Sequence, residues 1–162
     1  MVRVVVMGVA GSGKSTLGAA LAEELGAAFV DADDLHSEDS ITHMSAGKPL
    51  TDAMRWPWLD RCGAAMNDET DVVLACSALR RSYRAYLRAM VPDLRLVYPR
   101  VSEATVRTRM AQRHGHFMPN SLIKSQFETL EPPETDEQHI LIPSILPVWR
   151  AAKLAARVLN GR

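Results

Sequence analysis

The octapeptide Gly8-Val9-Ala10-Gly11-Ser12-Gly13-Lys14-Ser15 satisfies the spacing G-x-x-x-x-G-K-[ST] at every position. Its setting fits as well. Val2–Met7 before it is a continuous apolar run, the pattern of a strand buried on both faces, and Ser15–Leu25 after it reads as a helix closed by Gly26. Glycines in such a turn let successive N–H groups face one way as an anion nest, and the helix that follows adds the positive end of its dipole. The motif predicts a nucleotide-phosphate cradle of Gly8, Val9, Ala10, Gly11, Ser12, Gly13, Lys14, Ser15 and Thr16. Lys14 is expected to reach the β- and γ-phosphates of ATP, and the Ser15 hydroxyl to ligate Mg²⁺.

Outward from this loop, short β-branched runs alternate with helical stretches. Strands are expected at Ala28–Asp31, Asp71–Cys76, Leu94–Pro99 and Ile140–Ile142. Between them, Ser37 and Ser102 are candidate helix caps, Pro57 is expected in a first helical turn, and Pro147–Asn160 reads as the last helix. The alternation predicts an α/β, P-loop NTPase-type three-layer fold: a five-stranded parallel sheet with helices on both faces. Residues 1–162 are expected to form a single domain, with a small lid inserted at about 109–125. Ligands of such sheets bind beyond the carboxyl ends of the strands, which directs attention to Asp31–His36, Ser77–Arg81, Arg100–Ser102 and Pro143–Ser144.

Composition narrows the classes. The 162 residues are 47% hydrophobic and 23% charged, as in a folded globular chain and unlike a disordered one. With 19 basic and 19 acidic residues the formal net charge is zero, which argues against a nucleic-acid partner. No apolar run approaches the ~18 residues of a membrane span. Cys62 and Cys76 make no disulfide framework and are expected as buried thiols in a reducing, cytoplasmic setting. The neutral total hides a segregation: residues 23–71 hold twelve acids and three bases, whereas 80–113 hold nine arginines and two acids.

No acidic residue follows the third strand, so a carboxylate beside the metal must come from elsewhere. The cluster Asp31-Ala32-Asp33-Asp34-Leu35-His36 after the second strand is the nearest source, although read conservatively it is a solvated acidic turn. Arg109 and Arg113, spaced i, i+4, lie on one helix face before a break at Gly115.

The stretches MGVAGSGKS (7–15), DADDLH (31–36), MSAGKPLTD (44–52), RWPWL (55–59), CSALRRSYR (76–84), RMAQRHGHFM (109–118) and QFETLEPP (126–133) together resemble the small P-loop gluconokinases, relatives of shikimate and nucleoside-monophosphate kinases. The resemblance implies transfer of a phosphoryl group from ATP to the 6-hydroxyl of D-gluconate. It implies Asp33 as general base, Asp31 near the Mg²⁺ shell through water, and a lid that brings Arg109 and Arg113 to the phosphates beside Lys14. The residues themselves do not divide the acidic roles among Asp31, Asp33 and Asp34. Arg55 stands where related kinases place an arginine that clamps the acid substrate. His36 and His116 suit hydroxyl contacts, and Arg80 and Arg84 lie within reach of the carboxylate or phosphates.

The same resemblance implies a homodimer. Trp56, Trp58 and Trp149 are expected to be packing groups, Glu128 and Glu131 to anchor the lid helix, and no catalytic pattern is evident at Gln126. After the last strand, Ile142-Pro143-Ser144-Ile145-Leu146-Pro147 offers only Ser144 as a side chain to read a base, so a preference for ATP rests on the resemblance. Two rival readings remain: a kinase of another small hydroxy acid, such as a shikimate-like acid or a ketogluconate, and a non-catalytic nucleotide-binding protein.

Overall fold

The computed structural model describes residues 1–113 and 119–161. Five parallel strands, β1 (Arg3–Val6), β2 (Ala28–Asp31), β3 (Val72–Ala75), β4 (Arg95–Arg100) and β5 (His139–Pro143), form one sheet in the order β2-β3-β1-β4-β5. The expected class and strand count are therefore found. β1 runs in register with β3 from Arg3↔Val72 to Val6↔Ala75 and with β4 from Val4↔Arg95 to Val6↔Val97.

Alternation along each strand divides the core in two. Val5, Val72, Leu74 and Leu96 face one helical layer with Met7, Cys76 and Tyr98, all buried. That layer is α3 (Asp52–Asn67) and α4 (Arg81–Met90), which contribute Trp58, Leu59, Cys62, Met66, Tyr83 and Leu87. Val4, Val6, Val73 and Val97 face the other layer, α1 (Lys14–Leu25) and α7 (Val148–Leu159). There Ala151, Ala152, Ala155 and Ala156 let α7 approach Leu17, Leu21 and Ala22 of α1 closely. Burying a core of this kind at roughly 25 cal/mol per Å² of apolar surface is the main stabilising contribution.

The remaining helices, α2 (Glu38–Ser45), α5 (Glu103–Gln112) and α6 (Asn120–Thr129), lie off the two layers. Ser37, Thr51 and Ser102 cap α2, α3 and α5 by accepting the N–H three residues on. α5 and α6 pack through Val106 and Ile123 on Val9 and Leu79, a third small core beneath the phosphate loop.

Several local expectations need correcting. Pro57 sits inside α3, whose first turn is set instead by the Thr51 cap. Trp149 is 61% exposed, because the inner face of α7 is taken by alanines. Cys62 and Cys76 are buried free thiols, as anticipated. Among the described residues no helix is long and apolar enough to cross a membrane.

The largest departure concerns Arg84. It is fully buried, donating from Nε and Nη2 to the two carboxylate oxygens of Glu137 at 2.7 Å each and from Nη1 to the carbonyls of Ala78 and Leu79. The guanidinium that the sequence suggests for substrate is instead spent inside the protein. It braces the turn after β3, where Ala78 holds a φ of 42°. Burial alone would raise the Glu137 carboxyl, but the Arg84 hydrogen bonds and charge outweigh it and hold the group below its ordinary 4.5.

Removing one member of such a pair strands the other charge, at a cost of about 3–5 kcal/mol. Arg84→Met should therefore lower Tm by roughly 6–20 °C, and Arg84→Met combined with Glu137→Met should recover most of the loss. Thermal melts by circular dichroism check both. Because the folded carboxyl is depressed, the contribution is complete above about pH 4.5 and is lost as pH falls through the lowered folded value, so the gap between wild type and double variant should narrow in acid.

Candidate active site

The phosphate loop leaves β1 between β3 and β4, where the sheet's connections turn to opposite sides. Gly8, Gly11 and Gly13 have φ of 145°, 76° and 85°, a region that side chains disfavour. A Cβ on Gly8 would lie 2.9 Å from Ser12 Oγ. Gly13 caps α1 with no side-chain hydrogen bond, which leaves the first N–H groups of that helix for an anion. Lys14, the first helical residue, is buried, Ser15 is half-buried and Thr16 is exposed.

A loop whose N–H groups face a ligand must be held by others. Gly8 N–H donates to Ser77 O, which fastens the loop to the end of β3. Ala10 N–H donates to Gln126 Oε1 at 2.6 Å, and Arg109 Nη1 donates to Gly11 O at 3.2 Å. The structure thus sets Arg109 on the loop itself. Gln126, in which the sequence shows no pattern, turns out to hold the loop from α6. Only its place in the QFETLEPP stretch hinted at a role.

Two clefts flank the loop. The first, of about 380 Å³, brings together Lys14, Asp33, His36 and Arg55 with Ala10, Trp58, Ser77 and Gln126. Asp31 caps the 3-10 helix Ala32–Leu35 by accepting Asp33 N–H at 3.0 Å. That turn directs Asp33 into the cleft; Asp31 and Asp34 do not line it. His36 stacks on Trp58 with ring centroids 4.4 Å apart, and Trp58 Nε1 donates to Ala32 O, so α3 fixes the acidic turn from below. His36 Nε2 stands 3.9 Å from Asp33 Oδ1. Burial lowers the His36 pKa below 6.5, more than the Asp33 charge raises it. Its Nδ1 is buried without a partner among the described residues.

Arg55, on α3, donates from Nη1 to Tyr83 Oη at 2.8 Å, and Tyr83 Oη donates to Asp52 Oδ1 at 2.6 Å. This chain fixes the arginine at the cleft wall; burial, then the Asp52 hydrogen bond, raises the Tyr83 pKa and keeps it a donor. Tyr83 and Asp52 fall within the stretches CSALRRSYR and MSAGKPLTD, but the sequence reading gives neither a role. Arg80 is exposed at the N-cap of α4 and does not line either cleft, and Arg84 is the buried brace described above. His116 lies outside the described residues.

The second cleft, of about 210 Å³, opens on the other side of Gly11–Gly13. Thr16, Arg109 and Arg113 meet an apolar wall of Pro99, Ile142, Pro143, Leu146 and Val148, with Ser144 as an uncharged polar group. A flat heterocycle attached to a polyphosphate fits that combination. The two clefts meeting at one loop can hold a phosphoryl donor and an acceptor on either side of it. Among the described residues no three His, Cys, Asp or Glu side chains come together as a metal cage.

Comparison with known proteins agrees. A family model described as an AAA domain matches residues 4–133. The thermosensitive gluconokinase of Escherichia coli is 41% identical, with 94% of this chain and 88% of that protein covered. The crystal structure of a gluconokinase from Sinorhizobium meliloti superposes with a TM-score of 0.89 at 43% identity, covering 99% of this chain and 94% of that one. An unliganded sugar kinase from Janibacter gives a TM-score of 0.91 at 39% identity, covering 99% and 95%. With relatives this similar along nearly its whole length, and with a phosphate loop flanked by two clefts, the chain belongs to the gluconokinase family of P-loop kinases.

Proposed function

We propose that this protein transfers the γ-phosphoryl group of ATP to the 6-hydroxyl of D-gluconate, giving ADP and 6-phospho-D-gluconate. The observation that carries the reading is the larger cleft, in which a carboxylate, a histidine and an arginine come together with the buried phosphate-loop lysine. A polyol acid needs that set: hydrogen-bonding groups for its hydroxyls, a cation for its carboxylate and a base at the reacting oxygen.

In this mechanism the loop N–H groups and Lys14 hold the β- and γ-phosphates, and the second cleft takes the adenine. Asp33 accepts the proton of the 6-hydroxyl as its oxygen attacks the γ-phosphorus and the bond to the ADP oxygen breaks. Arg55 clamps the carboxylate, and Arg109 and Arg113 neutralise charge that develops on the transferred group. The Ser15 hydroxyl and, through water, the Asp31 carboxylate are hard oxygen donors suited to Mg²⁺, an ion that keeps several waters and takes its other ligands from phosphate. When bound, that ion neutralises charge on the phosphate oxygens. The lid expected at about 109–125 includes residues 114–118, which lie outside the described residues. The working form is a cytoplasmic homodimer; the exposed apolar side chains Ile145, Trp149, Leu154 and Val158 at α7 support a partner surface.

A coupled ADP-release assay over a panel of sugar acids tests the reading, with shikimate and nucleoside monophosphates as controls. Gluconate should give the highest kcat/KM; faster turnover of a ketogluconate or of shikimate overturns it. Asp33→Asn should cost at least about 10²-fold in kcat while a non-hydrolysable ATP analogue binds as before. Arg55→Ala should raise the gluconate KM by roughly 10–100-fold at unchanged ATP KM, and Arg55→Lys should restore little of it, because an ammonium cannot pair bidentately.

A further inference from the structure

We infer that Gln126 is a substrate-binding residue of the larger cleft, donating a hydrogen bond from its amide nitrogen to an oxygen of the sugar acid. The inference rests on the function proposed above and adds to it a residue from a different helix.

Three features of Gln126 converge. Ala10 N–H is a donor, so the atom it meets at 2.6 Å must be the amide oxygen of Gln126, and the orientation of the amide is thereby fixed. The amide nitrogen, with two N–H donors, makes no hydrogen bond to another described residue. Gln126 is half-buried and lines the same cleft as Lys14, Asp33, His36 and Arg55. A neutral donor whose direction is set by the phosphate loop, in a cleft whose charged groups are Lys14, Arg55 and Asp33, is suited to a hydroxyl or carboxylate oxygen. The geometry also explains why a glutamine serves. Glutamate keeps the acceptor for Ala10 but loses the donor, and leucine loses both.

Gln126→Glu and Gln126→Leu separate these two jobs. In steady-state assays with gluconate and ATP, Gln126→Glu should raise the gluconate KM by about tenfold or more, with the ATP KM within about twofold of wild type. Gln126→Leu, which also releases Ala10, should raise both constants. Thermal melts of each variant, with binding of a non-hydrolysable ATP analogue, check that the fold and the loop survive. An unchanged gluconate KM in Gln126→Glu overturns the assignment, as does a parallel rise in both constants, which is what a loop brace alone would give. Wild type that fails to turn over gluconate overturns the function reading, and with it the substrate named for Gln126; wild type that turns it over while Gln126→Glu keeps its KM overturns the Gln126 assignment alone.

Discussion

A phosphate cradle imposes a constraint that shapes everything around it. N–H groups that point at an anion are withheld from the loop's own hydrogen bonding, so beyond the bond from Ser12 N–H to Val9 O the loop needs bracing from outside. Support comes from three directions: the backbone of β3's exit through Ser77, the side chain of Arg109 from α5, and the side chain of Gln126 from α6. Each support brings its own element to the phosphate site. α5 and α6 are thereby each bonded to the loop through one side chain.

The turn after β3 is the second half of that support, and it is itself unusual. Ser77 fastens Gly8, Leu79 O accepts Glu131 N–H, and Ala78 adopts a left-handed φ without being glycine. Buried carbonyls in a strained turn need donors, and Arg84 supplies them while Glu137 neutralises it. The pair links α4 to the segment before β5, so the two sides of β1 are joined below the site as well as through the sheet. This is why an arginine in a motif that looks directed at substrate is buried.

How much of this the chain declares in advance follows from the range of each interaction. The strands, their parallel order and the loop are written in local pattern: runs of valine, glycines at fixed spacing, caps at Ser37 and Ser102. The acidic turn and the Arg55 wall could be reached through resemblance. Gln126, Tyr83, Asp52 and Glu137 could not be assigned roles, because each acts on a partner 28 or more residues away through one side chain. Arg80 and Arg84 carried the same signal in sequence, two arginines beyond a strand. Only the packing of α4 separates them, turning Arg84 inward and leaving Arg80 in solvent. Trp149 shows the converse: an aromatic on a helix reads as core until alanines are seen to fill the inner face.

The zero net charge acquires a meaning in this light. The acidic segment supplies Asp31, Asp33 and Asp52, and the basic segment supplies Arg109 and Arg113, so the charges oppose each other across the site. Opposition alone would be self-defeating, since an arginine on the base would pair with it and reduce its basicity. The structure keeps the two apart. Arg55 is engaged by Tyr83 and Asp52, Arg109 by Gly11, and Arg84 by Glu137. His36 Nε2 stands 3.9 Å from Asp33, and burial of that ring, stacked on Trp58, pushes its pKa down. Lys14 and Arg55 line the same cleft as Asp33, and Arg109 and Arg113 line the other, so cations are placed for the anions at either end of the site.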